Sequence, residues 1–114
     1  MSAPRHLLVI AYVWPEPRSS AAGGHLLSIL SAFKADNWKI TIASPAQRTE
    51  QMADLTSLDI ESLDVLLNDS SFDHSVQTLQ PDIVLFDRFM MEEQFGWRVE
   101  TYCPNAIRVL DTED

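Results

Sequence analysis

Hydrophobic residues along this chain come in short unbroken runs separated by stretches with helical spacing. Leu7-Leu8-Val9-Ile10-Ala11-Tyr12 is apolar at nearly every position. It lacks the in-out alternation of a half-solvated strand and reads as a strand covered on both faces. From about Gly24 to Ala35, Leu26, Ile29, Leu30 and Phe33 recur at i, i+3, i+4 and i+7, with Ser28, Ser31 and Lys34 pointing the other way. That spacing predicts an amphipathic helix. Asp36-Asn37 ends it, and Trp38-Lys39-Ile40-Thr41-Ile42-Ala43 follows as a strand stopped by Ser44-Pro45.

The alternation continues beyond Pro45. Residues 46 to 57 are polar and weakly periodic, and a helix is expected from about Ala46 to Leu55, with a short strand at Leu58-Asp59-Ile60. Ser70 or Ser71 is placed to cap a helix that carries Phe72, Val76 and Leu79 on one face and is closed by Pro81. Ile83-Val84-Leu85-Phe86 is a second fully apolar strand. A longer helix, from about Arg88 to Tyr102, aligns Met91, Phe95, Val99 and Tyr102, with Gly96 as a weak point. Pro104-Asn105 separates it from a last strand, Ile107-Arg108-Val109-Leu110. Five short strands alternating with helices predict the α/β class: a three-layer α/β/α sandwich with a parallel, Rossmann-like sheet built by right-handed crossovers.

Composition narrows the partners. A chain of 114 residues with 46% hydrophobic content fits one globular domain over residues 1–114. Eight basic against seventeen acidic residues give a formal charge of −9, and the basic ones form no tract. Nucleic acid and anionic membrane surfaces are therefore poor partners. The single cysteine, Cys103, has no intramolecular disulfide partner, and no Cys/His cluster offers metal ligands. No metal or other cofactor is expected, and a reducing cytoplasm fits best. Leu7 to Trp14 is too short for a transmembrane segment and sits at the short end for a signal peptide.

The stretch VWPEPRSSAAGGH, residues 13–25, spends two prolines and two of the three glycines between the first strand and the first helix. In a sheet ordered 3-2-1-4-5, ligands sit at the carboxyl ends of the strands where the order reverses, between strands one and four. The loops bordering that crevice are Val13 to Gly24 and Asp87-Arg88. A helix beginning near Gly24 points its unpaired N–H groups at the crevice, and Gly23 and Gly24 would let a phosphate approach the backbone. The same glycines would equally serve to relieve a tight turn, and spacing leaves both readings open. The motif is neither GxGxxG nor GxxxxGK[ST], so NAD binding and ATP cleavage lack their fingerprints.

Five other residues are candidates beside the glycines. His25 can hydrogen-bond a phosphate or sugar, against the plainer reading of a solvated helix-start histidine. Arg18 and Arg88 offer guanidinium groups in carboxyl-edge loops, against ordinary surface charge. Asp87 can orient a hydroxyl or act as a base, the catalytic candidate, or it can cap the following helix. Trp14 either stacks on a sugar or closes the sheet edge. His6 and His74 read as surface residues, and Glu92-Glu93 as a solvated helix face.

The apolar first strand, the Pro-containing loop ending in Gly-Gly, the Trp-Lys-Ile-Thr-Ile-Ala strand and the later Pro-Asp-Ile-Val-Leu-Phe-Asp resemble the amino-terminal half of a GT-B glycosyltransferase. The nearest likeness is to the family-4 group of retaining enzymes. The resemblance covers essentially the whole chain, through short motifs. It implies that Gly23 and Gly24 lie near the diphosphate of a nucleotide-sugar donor and that surrounding loops bind the acceptor, whose identity is open. In many relatives the motif after Pro-Asp carries a histidine. Here Leu85 and Asp87 stand there, and Asp87 is the nearest polar substitute. The resemblance also implies a carboxy-terminal domain that holds most of the donor. The chain is thus expected to be a fragment or excised amino-terminal half, inactive alone.

Other classes fit less well. A phosphoacceptor receiver needs an acidic pair after strand one, an aspartate after strand three and a lysine after strand five, where this chain has Tyr12-Val13, Ile60-Glu61 and Leu110-Asp111. A flavodoxin-like ligand-binding module wants a Ser/Thr-rich loop after strand one, for which Ser19-Ser20 is modest support. A non-catalytic interaction domain is the remaining alternative.

Overall fold

The computed structural model describes residues 5–15, 21–49 and 54–111, with the backbone alone at 21–23. The elements in chain order are β1 (His6–Ala11), α1 (Ala21–Ala35), β2 (Lys39–Ser44), β3 (Glu61–Asp64), α2 (Ser70–Leu79), β4 (Ile83–Asp87), α3 (Phe89–Tyr102) and β5 (Ile107–Asp111). The strands form one sheet in the order β3-β2-β1-β4-β5, every neighbouring pair parallel. This is the expected α/β, Rossmann-like arrangement. The first strand is central, with Val9 beside Ile42 of β2 and Leu85 of β4.

The pleat sends alternate residues to opposite faces, and each face has its own core. Leu7, Val9 and Ala11 pack with Leu26 and Leu30 of α1. Leu8 and Ile10 pack with Phe72 and Val76 of α2 and with Phe95 and Val99 of α3. Phe72 and Phe95 meet with ring centroids 4.7 Å apart. Each of these fully buried side chains contributes on the order of 1.5–3 kcal/mol. Arg98 donates to Asp73 at 2.7 Å in a pair only 10% exposed on each side, tying α3 to α2.

Several local expectations shift. The first helix starts at Ala21 rather than near Gly24, so both glycines lie inside its first turn. No described glycine has a positive φ, so neither is needed to relieve a turn. The helix expected from Ala46 to Leu55 does not form at 46–49 or 54–55, and its middle, 50–53, lies outside the described residues. Ser57 N–H donates to the Asp54 carboxylate at 3.3 Å and Ser57 Oγ donates to the Asp54 carbonyl at 2.9 Å. These short-range bonds favour a turn over a helix. Leu55 and Ile60 still reach the core. The third strand falls at Glu61–Asp64, starting three residues later than Leu58-Asp59-Ile60, because Asp59 turns the chain at φ 59°. The cap of α2 is Asp69, whose Oδ1 accepts from Ser71 N–H at 2.8 Å, rather than Ser70 or Ser71.

His6, read as a surface residue, is core, and so is Trp14, for which the sequence leaves sugar stacking and closing the sheet edge both open. His6 is buried, with its Nε2 hydrogen-bonded to Thr41 Oγ1 at 2.8 Å. Trp14 is 2% exposed, donates to the Ala46 carbonyl at 3.0 Å and lies under the Arg48 guanidinium at 4.5 Å. It seals the end of the α1-side core and has no face left for a sugar. Among the described residues no helix is long and apolar enough to cross a membrane.

Candidate functional site

Strand order reverses between β1 and β4, because the chain runs outward through β2 and β3 before returning to the other side of β1. Crossover chirality puts α1 on one face and α2 and α3 on the other. Consequently α1 and α3 both begin at the carboxyl edge, flanking the reversal, and direct the positive ends of their dipoles there. Register assembles the rest: Ala11 of β1 is beside Asp87 of β4, and Asp87 is beside Asp111 of β5. Two carboxylates thus stand on adjacent strand ends.

His25, in the second turn of α1, closes the group. Its Nε2 lies 3.3 Å from Asp111 Oδ2, with the imidazole side chain 41% exposed and the carboxylate 15% exposed. Nε2 is thus the ring nitrogen turned toward Asp111, by proximity and not through a hydrogen bond, and Nδ1 is the other. Asp87 is buried, and desolvation raises its pKa above the ordinary 3.8. The Arg88 charge opposes that shift, Asp111 adds to it and His25 opposes it. Asp87 therefore feels the charges of the other three groups across the crevice.

Arg88 carries the most unusual backbone in the site, φ 82° and ψ 149°. A side chain rarely occupies that region, at a cost of about 1–3 kcal/mol. The geometry is imposed from both sides: Arg88 N–H donates to the Asp111 carbonyl at 2.8 Å, extending the β4–β5 ladder, while its carbonyl accepts from Met91 N–H at 3.1 Å and opens α3. The guanidinium sits 5.0 Å from the Tyr12 ring centroid, and its buried Nε has no hydrogen-bond partner among the described residues. Arg88 is also the N-cap of α3, without a side-chain cap bond. Asp87 is thus not the cap of that helix.

Of the residues singled out in the sequence, His25, Asp87 and Arg88 come together at the crevice. Gly23 and Gly24 lie on the same turn of α1 as the approach to it, and a Cβ at Gly24 would meet nothing within 4 Å. Arg18 lies outside the described residues. Asp111 is the site residue that sequence reasoning passed over. Its only signal was an acid directly after an apolar strand, the same pattern that marked Asp87. The described residues hold no cluster of three His, Cys, Asp or Glu side chains fit for a metal ion. The arrangement provides a histidine beside a carboxylate, a desolvated second carboxyl, a cation with a spare donor and two helix amino termini. Such a set can take a proton from a hydroxyl and hold a negatively charged group nearby.

Compared with protein-family models, with curated proteins and with solved structures, the chain matches none.

Proposed function

We propose that this chain is the acceptor-side, amino-terminal domain of a glycosyltransferase that uses a nucleotide-sugar donor. The observation that carries the reading is the His25–Asp111 pair, 3.3 Å apart at the reversal point of the sheet. In glycosyl transfer the acceptor oxygen bonds to the anomeric carbon, the bond from that carbon to the diphosphate breaks, and the acceptor proton must leave. Here His25 Nδ1 receives the proton while Asp111 steadies the imidazolium that forms. Asp87 is a hydrogen-bond partner for the acceptor hydroxyl. The diphosphate lies against the first turn of α1 at Gly23 and Gly24, where backbone N–H groups and the helix dipole favour an anion, with Arg88 supplying a guanidinium fork. The resemblance in sequence to the GT-B amino-terminal half supports the same assignment. A carboxy-terminal domain would hold the rest of the donor.

The test is kinetic. In an enzyme containing this domain with its donor-binding half, His25→Ala and Asp111→Asn are each expected to lower turnover by roughly 10²–10⁴-fold, with the donor KM little changed. The 114-residue chain alone is expected to transfer no sugar, since donor and acceptor are not held together. Wild-type turnover in His25→Ala, or transfer by the isolated chain, would overturn the reading.

A further inference from the structure

The two faces of the sheet are covered unequally. Beneath α2 and α3 the core is continuous, whereas on the opposite face α1 stands alone among the described helices. Between α1 and strands β4 and β5 lies a cavity of about 320 Å³. Ile29 and Phe33 of α1 form one wall, and Leu85 of β4 and Val109 of β5 form the floor. The polar residues lining it are His25 and Asp111, both at its carboxyl-edge end. An apolar chamber of this size with a few polar groups at one end is the usual build of a small-molecule pocket.

Three occupants compete for such a chamber. A saccharide would carry hydroxyls along its whole length, and the apolar walls would leave most of them unpaired. A second copy joined antiparallel through the β5 edge meets a register problem, since opposed residues must share a face. Centred on Arg108 the pairing opposes two arginines, and centred on Val109 or Leu110 it sets Asp111 against Ile107 or Val109. Like charges or a carboxylate facing an alkyl group disfavour every one of these. A molecule with an apolar body and one hydroxyl satisfies both ends of the cavity.

Resting on the reading of His25–Asp111 as the hydroxyl-handling pair, we propose that this groove binds the apolar body of the acceptor. The acceptor class is then an aryl or short-alkyl alcohol of about one or two rings, with its hydroxyl at His25 and its body along Ile29, Phe33, Leu85 and Val109.

The experiment needs neither donor nor turnover. Naphthol and, separately, methyl glucoside are titrated into the chain while side-chain methyl and imidazole NMR signals are followed. Saturable naphthol-induced shifts at Ile29, Leu85, Val109 and His25, with none from methyl glucoside, are expected. Val109→Phe fills the groove from a half-exposed position on an edge strand that tolerates aromatics, and should weaken naphthol binding at least tenfold. Ile29→Phe fills it from the helix side and should do the same, with preserved signal dispersion confirming the fold of each variant. Naphthol shifts confined to other regions, equal binding of methyl glucoside, or unchanged binding in both folded variants would overturn the proposal. So would a dimer in light scattering whose formation hides the groove. If naphthol binds as expected while the intact enzyme transfers no sugar, the groove assignment stands and the glycosyltransferase reading falls.

Discussion

At the amino-terminal edge of the sheet the strand starts are tied to one another. His6 N–H donates to the Asp82 carboxylate at 2.8 Å, and Asp82 N–H returns a bond to the His6 carbonyl at 2.9 Å. Lys39 N–H donates to the Arg5 carbonyl at 2.7 Å, and Ile107 N–H to the Asp82 carbonyl at 2.9 Å. The flanking charges are paired, Lys34 with Asp59 and Lys39 with Glu61. At the carboxyl-terminal edge the same strands end in a desolvated carboxyl, an arginine with left-handed φ and a spare donor, and a histidine–carboxylate pair beside an apolar groove. Both ends carry non-glycine residues with positive φ, Asn37, Asp59 and Gln80 at the first and Arg88 at the second, but the desolvated carboxyl and the Arg88 donor without a partner among the described residues belong to the carboxyl-terminal end. Unmet bonding capacity gathers at the switch-point edge, and the well-tied end provides the stability that lets it persist.

Four experiments would break or sharpen this contrast. The largest effect is expected at Arg88. Arg88→Gly and Arg88→Ala both remove the guanidinium, but only glycine adopts φ 82° freely. The glycine variant should be the more stable of the two by about 1–3 kcal/mol in urea denaturation. Equal stabilities would mean that no strain is held at the carboxyl edge.

Next is the tied end. Thr41→Val removes the hydroxyl hydrogen-bonded to buried His6 and should cost about 1–2 kcal/mol, with naphthol binding in the groove unchanged. A variant as stable as the parent would show that the amino edge is less tightly built than its bonds suggest.

A smaller change is expected at Gly24, where φ is not left-handed and a Cβ has open space. Gly24→Ala should raise the melting temperature, with a gain of up to about 1 kcal/mol from helix propensity. If the proposed glycosyltransferase reading holds, the same methyl should weaken donor binding in an enzyme containing this domain, because it occupies the approach to the helix backbone. A stabilised variant with unaltered donor binding would move the diphosphate away from this turn.

The last test is one of sign. Burial lowers the pKa of His6 from 6.5, with Lys39 adding to the shift. Below pH 6.5 the unfolded chain therefore binds more protons than the folded one, and stability falls as pH drops toward the lowered value. Asp87 does the opposite. Its pKa is raised from 3.8, so between 3.8 and the raised value the folded chain holds the extra proton, and stability falls as pH rises through that window. His6→Asn should flatten the first decline and Asp87→Asn the second, read from melting temperature against pH. If neither variant changed its own slope, the two ends would not differ in the electrostatic sense argued here.

Legibility in the sequence followed the range of the forces involved. The run Leu7 to Tyr12 announced a strand covered on both faces, and β1 is buried from His6 to Ala11. The spacing Met91, Phe95, Val99 gave the buried face of α3. Glu61-Ser62-Leu63-Asp64 gave no such sign, having one apolar residue, and is a strand because it pairs with Thr41 to Ser44 of β2. Ile107 to Leu110 reads as the last strand, and Ile107 is 63% exposed, since β5 lies at the edge and α3 covers only one of its faces.

For the site, the switch-point crevice, His25, Asp87 and Arg88 were all visible as residues beside strand ends. Periodicity and loop chemistry act over a few residues, so they determined the α/β class, the order of elements and the loops that border the crevice. The partner of His25 was beyond their reach. Asp111 is one acid among seventeen acidic residues, and it meets His25 only because β5 lies next to β4 while α1 crosses the same face. The burial of Asp87, the left-handed backbone of Arg88 and the open groove above β5 likewise depend on which elements pack together and which face is left bare. Those are properties of the assembled sheet, decided by long-range burial and register that no local pattern records.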